Sequence, residues 1–146
     1  MITISTASLT DINLMTSLFD AYRVFYKQKS DLPAAEMFLS TRLSNSESTI
    51  LLAWFDDELI GFTQIYPLFS SVSMQHLHVL NDLYVNPDHR GKGAATLLLN
   101  AAQQFATSNG SKGLSLETHN SNPAQALYER LGWVKDEEYL HYFWKA

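Results

Sequence analysis

Residues 80–105, LNDLYVNPDHRGKGAATLLLNAAQQF, contain the strand, loop and helix around which the rest of the chain is organised. Leu83, Tyr84 and Val85 favour a strand. A turn follows at residues 86–88, where proline fixes φ and the flanking asparagine and aspartate can close local hydrogen bonds. The last part has the periodicity of an amphipathic helix. Its apolar face consists of Ala95, Leu98, Ala102 and Phe105. This stretch therefore predicts a strand that leads through a glycine-rich loop into a helix.

The loop at residues 90–95 predicts an anion-binding site. Gly91 and Gly93 tolerate a positive φ and have no Cβ, so the backbone can approach a ligand closely. The first amides of a helix have no partners inside the helix and lie at its positive end, which suits a phosphate. The spacing matches neither a Walker A loop nor the dinucleotide fingerprint. A plain strand-to-helix turn remains the alternative interpretation of the loop alone.

Length and composition limit the possible functions. The chain has 146 residues, so we predict a single domain over residues 1–146. A net charge of −5 argues against a nucleic-acid partner and mildly favours a cationic substrate. There are no cysteines, which excludes disulfides, thiolate catalysis and cysteine-ligated zinc. We see no signal peptide and no apolar run of membrane-spanning length, and we expect a cytoplasmic protein without a membrane partner.

Hydrophobic periodicity predicts an alternation of strands and helices along the chain. The predicted strands are residues 2–6, 49–55, 59–66, 74–85, 113–118 and 139–144. The predicted helices lie within residues 10–25, 31–43, 95–107 and 124–131. This order predicts an α/β fold, with a mixed sheet flanked by helices.

Three stretches of the chain resemble the GNAT superfamily of N-acetyltransferases: LNDLYVNP, HRGKGAATLLLNAA and NPAQALYERLGW. The family pattern Q/R-x-x-G-x-G/A matches Arg90, Gly93 and Ala95. The pattern LYE-x-x-G-F/W matches residues 127–133. The resemblance covers residues 80–133, and the N-terminal half agrees only in the order of its elements. Within the superfamily the chain looks most like small polyamine and histone-type acetyltransferases.

The resemblance implies a GNAT fold and an acetyl-CoA-dependent enzyme. The fold has a mixed, mostly antiparallel sheet, with a V-shaped splay between the strands at Leu83 and Leu116. The implied reaction moves an acetyl group from acetyl-CoA to a primary amine of a small cationic or lysine-like acceptor, by direct attack. The pyrophosphate would lie on the loop amides and the pantetheine arm along the preceding strand. The implied cofactor-binding residues are Leu83, Tyr84, Val85, Arg90, Gly91, Lys92, Gly93, Ala94, Ala95 and Asn120.

The resemblance also assigns catalytic roles. Tyr128 is the candidate acid for the departing thiolate, and its alternative is a core tyrosine. Asp82 is the candidate base and Glu117 its alternative, each working through a water, although Asp82 could equally be a surface or structural carboxylate. His119 has a suitable unperturbed pKa, but a plain loop histidine is the favoured interpretation. Polyamine-acetylating relatives often carry glutamate just before this aspartate, where this chain has Asn81.

Several features leave two interpretations open. Asn120 is one position away from the family's CoA-binding asparagine, and Asn122 more plausibly caps a helix.

His76 and His78 share one strand face, but no further ligand is evident and we predict no metal site.

Aromatic side chains raise two further alternatives. The cluster Phe19, Tyr22, Phe25 and Tyr26 predicts core packing, with its outer members lining an acceptor pocket. Residues 143–144, Phe and Trp, either finish the sheet or form a homodimer interface. A non-catalytic acyl-CoA-binding regulatory module is the alternative to an enzyme.

Overall fold

A computed structural model describes all residues from Met1 to Ala146. Its strands form one sheet in the order β1-β2-β3-β4-β5. The strands are β1 (Ile2–Thr6), β2 (Thr49–Phe55), β3 (Glu58–Ser70), β4 (Gln75–Val85) and β5 (Leu114–Ser115). The first four pair in antiparallel fashion, and β5 pairs with β4 in parallel. The structure therefore confirms the predicted α/β class with a mixed, mostly antiparallel sheet.

Four helices cover the sheet. They are α1 (Ile12–Phe25), α2 (Leu32–Ser44), α3 (Ala94–Ser108) and α4 (Gln125–Arg130). One core cluster joins α1 and α2 to one sheet face, with the fully buried Leu39 and Leu52 among its members. The other joins α3 to the opposite face around Leu98 and Ile65, and the short α4 packs at its edge. None of the helices is both long and apolar enough to cross a membrane.

A β-bulge in β4 sets which side chains face the site. Gln64 of β3 pairs with Asp82, but the next residue, Ile65, pairs with Leu80, so Asn81 is an extra residue in β4. An extra residue shifts the alternation of side chains between the two sheet faces. Leu80 thus joins the α3 core, whereas Asp82 lies on the side of α1.

Three predicted strands differ from the observed ones. β3 continues beyond residue 66 to Ser70, because residues 67–70 still pair with β4. The strand at residues 113–118 is reduced to Leu114–Ser115. The strand predicted at residues 139–144 is wrong, because this segment has no secondary structure and pairs with no other strand. Its aromatic residues favour extended backbone, but extended backbone becomes a strand only with a partner.

A buried carboxylate connects α1 to α2. Asp20 is 6% exposed and accepts hydrogen bonds from Ser30 Oγ (2.7 Å) and Asp31 N (2.8 Å). Asp31 in turn accepts a hydrogen bond from Ala34 N and caps α2. The hydrogen bonds from Ser30 and Asp31 lower the pKa of Asp20 below its ordinary value. Asp20 therefore stabilises the fold in its ionised form.

We expect Asp20→Asn to lower the melting temperature at pH 7 by about 5 °C, because it weakens two partly buried hydrogen bonds to a charged acceptor. Since the folded-state pKa is depressed, the stabilisation is present above the unfolded-state pKa of about 4 and is lost as pH falls below it. The difference from wild type should therefore shrink between pH 7 and pH 3, as followed by calorimetry. Asp57→Asn, at an exposed carboxylate, is the control. A pH-independent difference would contradict this role.

Candidate active site

A cavity of about 640 Å³ opens between the C-terminal part of β4 and residues 116–118. β4 and β5 pair only at His78–Leu114 and Val79–Ser115, and the cavity lies beyond the last pair. Its other walls are the loop before α3, helix α4, and Phe25 and Tyr26 at the end of α1. The predicted V-shaped splay stays a prediction, and the short ladder agrees with it.

The glycine loop reaches the cavity with free backbone donors. Gly91 and Gly93 have φ values of 73° and 91°, in the left-handed region that disfavours other residues. Gly93 is the N-cap of α3. None of the amides from residue 91 to residue 96 donates a hydrogen bond to a protein acceptor. The loop therefore has the features of an anion-binding site, free N–H groups at the positive end of a helix.

Arg90 adds a positive charge to this end of the cavity. Its Nε donates to the carbonyl of Val85 (2.9 Å), and its guanidinium lies 5.6 Å from the ring centre of Phe25 and 5.5 Å from that of Tyr84. Cation–π contacts at these distances hold the side chain in place. Lys92, by contrast, does not line the cavity, and its Nζ donates to the carbonyl of Asp88 (3.1 Å).

The predicted strand residues all line the cavity. Leu83 and Val85 pack towards the α3 core, and Tyr84 packs in the α1–α2 core. Gly61 of β3 lies directly against this part of β4. A Cβ at residue 61 would be only 2.9 Å from the carbonyl oxygen of Tyr84, so the close approach of the two strands requires glycine.

Among the asparagines, Asn122 lines the cavity and Asn120 does not. Asn122 Oδ1 accepts from Ala124 N (2.9 Å), and its Nδ2 donates to Thr118 Oγ1 (2.9 Å). It thus joins the start of α4 to the strand side of the cavity.

Tyr128 of α4 lines the cavity and packs against Trp133, with 6.2 Å between ring centres. Burial raises the pKa of the phenol, with a smaller contribution from Tyr26, while a hydrogen bond involving Thr118 opposes it. The phenol therefore keeps its proton at neutral pH, as a general acid requires.

Asp82 lies next to the cavity but is not part of its lining. It is 3% exposed, and its carboxylate accepts hydrogen bonds from Tyr22 Oη (3.0 Å), Asn81 Nδ2 (2.8 Å) and Gln64 Nε2. Burial raises its pKa, and the three hydrogen bonds oppose this effect. Asn81 does line the cavity.

The two alternative bases differ in position. Glu117 lines the cavity and pairs with His141 at 3.0 Å. His119 is outside the lining, and its Nδ1 is 2.6 Å from Ser121 Oγ.

The lining also includes four polar residues to which the sequence analysis assigned no role: His89, Thr96, Thr118 and Arg130. Arg130 lies at a variable position of the 127–133 pattern, so the pattern gave no signal for it. His78 is buried, its Nδ1 lies 2.8 Å from Ser111 Oγ, and burial lowers its pKa. The structure has no group of three or more potential ligands that could hold a metal ion.

Comparisons with known proteins agree with this geometry. The chain matches the Acetyltransferase (GNAT) family over residues 13–133. It is 50% identical over 137 residues to the uncharacterized N-acetyltransferase YhfO of Bacillus subtilis (strain 168), covering 93% of this chain and 92% of YhfO. It is 31% identical over 108 residues to a streptothricin acetyltransferase of Escherichia coli, covering 73% of this chain and 59% of that protein.

A solved structure shares the fold. The crystal structure of a probable acetyltransferase matches with a TM-score of 0.93 at 37% identity, covering 99% of this chain and 97% of that one. The family match extends over most of the chain and includes both the glycine loop and Tyr128. The chain therefore belongs to the GNAT family and is an N-acetyltransferase.

Proposed function

We propose that this enzyme transfers the acetyl group of acetyl-CoA to a primary amine of a small cationic or lysine-like acceptor, by direct attack. One observation carries the proposal: a single cavity brings together a loop with free backbone donors and a protonated tyrosine. The first suits the phosphates of a CoA ester, and the second suits a departing thiolate.

The donor would occupy the side of the cavity formed by the loop and β4. Its pyrophosphate would accept hydrogen bonds from the amides of Gly91, Gly93 and Ala94, with Arg90 as counter-charge. Its pantetheine arm would lie along residues 83–85, beyond the last residue pair of β4 with β5. These assignments retain most of the predicted cofactor residues. Lys92 and Asn120 do not line the cavity, so the proposal assigns them no contact with the cofactor.

The chemistry follows from the groups in the cavity. The neutral amine attacks the thioester carbonyl, and the C–N bond forms as the C–S bond breaks. Backbone amides near Leu83 would stabilise the oxyanion, and Tyr128 would transfer its proton to the sulfur. The amine loses a proton to a base, for which the candidates are Asp82 and Glu117, either of which could act through a water.

The acceptor would enter beside Tyr26, because the ring of Phe25 already packs against the Arg90 guanidinium, 5.6 Å away. Aromatic faces attract organic cations, and Glu117 in the lining and the buried Asp82 next to it contribute negative charge to the site. The related streptothricin acetyltransferase is named for a small-molecule acceptor, which supports the same class here.

We expect Tyr128→Phe to lower kcat by about a hundred-fold with little change in the KM for either substrate, because only the proton donor is lost. The assay measures free-thiol release from acetyl-CoA with a panel of amines. Tyr139→Phe, at a tyrosine that is 78% exposed, is the matched control. A change of less than two-fold in kcat would make Tyr128 a packing residue. Acetyl-CoA binding by wild type without turnover of any amine would favour a non-catalytic acyl-CoA-binding module.

We expect Arg90→Gln to weaken acetyl-CoA binding about ten-fold, because it removes the charge at the loop. Isothermal titration calorimetry gives the dissociation constant directly. Lys92→Gln removes the same charge two residues away and should have an effect of less than three-fold, since Lys92 does not line the cavity. Equal effects would restore Lys92 as a cofactor contact, and no effect of either would place the phosphates elsewhere.

We also propose a homodimer in which residues 139–144 contact a second copy. Tyr142, Phe143 and Trp144 are 85%, 81% and 85% exposed, and contiguous apolar surface of this kind marks interaction sites. The segment belongs to the part of the chain shared with the probable acetyltransferase of known structure. A second copy is the simplest occupant, because most homo-oligomers are two-fold symmetric dimers.

Sedimentation equilibrium should therefore give twice the mass of 16.5 kDa for the wild type. Removal of residues 139–146 should give the single mass, because the apolar contact surface is lost. Met37→Ser, at a methionine that is 71% exposed on α2, should remain dimeric. A monomeric wild type would contradict this proposal and show that the segment stays in solvent.

A further inference from the structure

Asp82 is a buried carboxylate without a counter-ion. It is 3% exposed and takes part in no salt bridge, and all three of its side-chain donors are neutral. A buried charge is costly unless it is paired or well hydrogen-bonded. The position beside the cavity suggests that this charge serves the site.

An ionised carboxylate orients its donors, because it can only accept hydrogen bonds. The side-chain amide of Asn81 must therefore direct its NH₂ group to Asp82, where Nδ2 lies 2.8 Å from Oδ1. The Oδ1 of Asn81 is then the free end of the amide, and it accepts no hydrogen bond from the protein. Asn81 is exposed and belongs to the cavity lining, so a ligand in the cavity can approach its side chain.

The bulge in β4 makes this arrangement possible. In a regular strand the side chains of residues 81 and 82 would point to opposite faces of the sheet. Because Asn81 is the extra residue opposite the Gln64–Ile65 step, it can line the cavity and still bond the carboxylate of the next residue. Bulges are often found where a side chain is redirected next to an active site.

Two further donors hold the carboxylate in place. Tyr22 Oη of α1 bonds Oδ1 at 3.0 Å, and Nε2 of the fully buried Gln64 bonds Oδ2. Both oxygens of Asp82 are therefore occupied by protein donors. This occupation argues against a carboxylate that turns to collect the proton of the substrate.

We propose that Asp82 orients Asn81 so that the Asn81 carbonyl oxygen accepts a hydrogen bond from the N–H of the acceptor amine. Asp82 is then a positioning residue, and Asn81 contacts the substrate. The inference rests on the proposed function, since it places the amine at this end of the cavity. It also leaves Glu117 or a water to take the proton.

Asp82→Asn tests the orientation without changing the shape of the side chain. An amide at position 82 both donates and accepts, so it no longer dictates which way Asn81 faces. The variant should fold, because burial raises the pKa of Asp82 and the ionised form costs stability as pH rises through that pKa. The difference in melting temperature, Asp82→Asn minus wild type, should therefore be more positive at pH 7 than at pH 4.

The experiment compares wild type, Asn81→Ala, Asp82→Asn and the double variant. It measures the dissociation constant of the amine for the CoA-bound protein, as well as the KM and kcat. Asn81→Ala should weaken amine binding about ten-fold, because one hydrogen bond to the substrate is lost. Asp82→Asn should weaken it about three-fold and keep kcat within about three-fold of wild type. The double variant should match Asn81→Ala, because the orientation has no effect once the amide is gone.

Three results would overturn the proposal. Unchanged amine binding in Asn81→Ala would remove the contact. Additive effects in the double variant would show that the two residues act separately. A hundred-fold loss of kcat in Asp82→Asn at unchanged amine binding would make Asp82 the base. Asp57→Asn, an exposed carboxylate, and the dissociation constant for acetyl-CoA are the controls, and both should equal wild type.

Failure of the proposed function is distinguishable from these results. A wild type that binds acetyl-CoA but neither binds nor acetylates any amine of the panel would refute both the function and this inference. A wild type that binds an amine without turnover would still allow the binding comparison, so the orientation is tested independently of catalysis.

Discussion

The pairing between β4 and β5 ends after two residue pairs, and the site depends on this early end. Had the ladder continued, residues 80–85 would be covered by a neighbouring strand and no cavity could form there. Instead, the far end of β4 forms one wall, and residues 116–118 form the other. The other edge of β4 pairs with β3 along the whole strand, through ten residue pairs from Gly61–Val85 to Ser70–Gln75. A rigid strand with one free side can therefore present both backbone and side-chain groups to substrates.

The cavity is lined by charged groups of both signs. At the loop end, free amides, the α3 dipole and Arg90 all favour negative charge. Glu117 also lines the cavity, and the buried Asp82 lies next to it, so negative charge is present at the site as well. Tyr128 lines the same cavity from α4, and burial raises the pKa of its phenol, so the side chain is uncharged at neutral pH.

The bulge at Asn81 and the early end of the ladder work together. Both depart from regular sheet geometry within the same few residues of β4. Both also leave accessible backbone or side-chain groups that a regular sheet would cover or pair with a neighbouring strand. The stability lost through the unpaired backbone groups is offset by two well-buried hydrophobic cores, one on each face of the sheet. Departures from regularity are common at functional sites for this reason.

The sequence by itself determined the local features of this protein. The loop glycines, the start of α3, strand 49–55 and the helix that carries Tyr128 follow from φ preferences and hydrophobic periodicity, which depend only on neighbouring residues. The same local reasoning was wrong at residues 139–144, because a strand requires a partner that is distant in sequence.

Only the tertiary structure decided how the polar residues are divided between the cavity and the interior. The register of β4 on β3 places Asn81 in the lining and buries Asp82. The packing of α4 selects Asn122 rather than Asn120, and a hydrogen bond to Asp88 turns Lys92 away. These outcomes depend on contacts between residues far apart in the chain, and no local pattern records them.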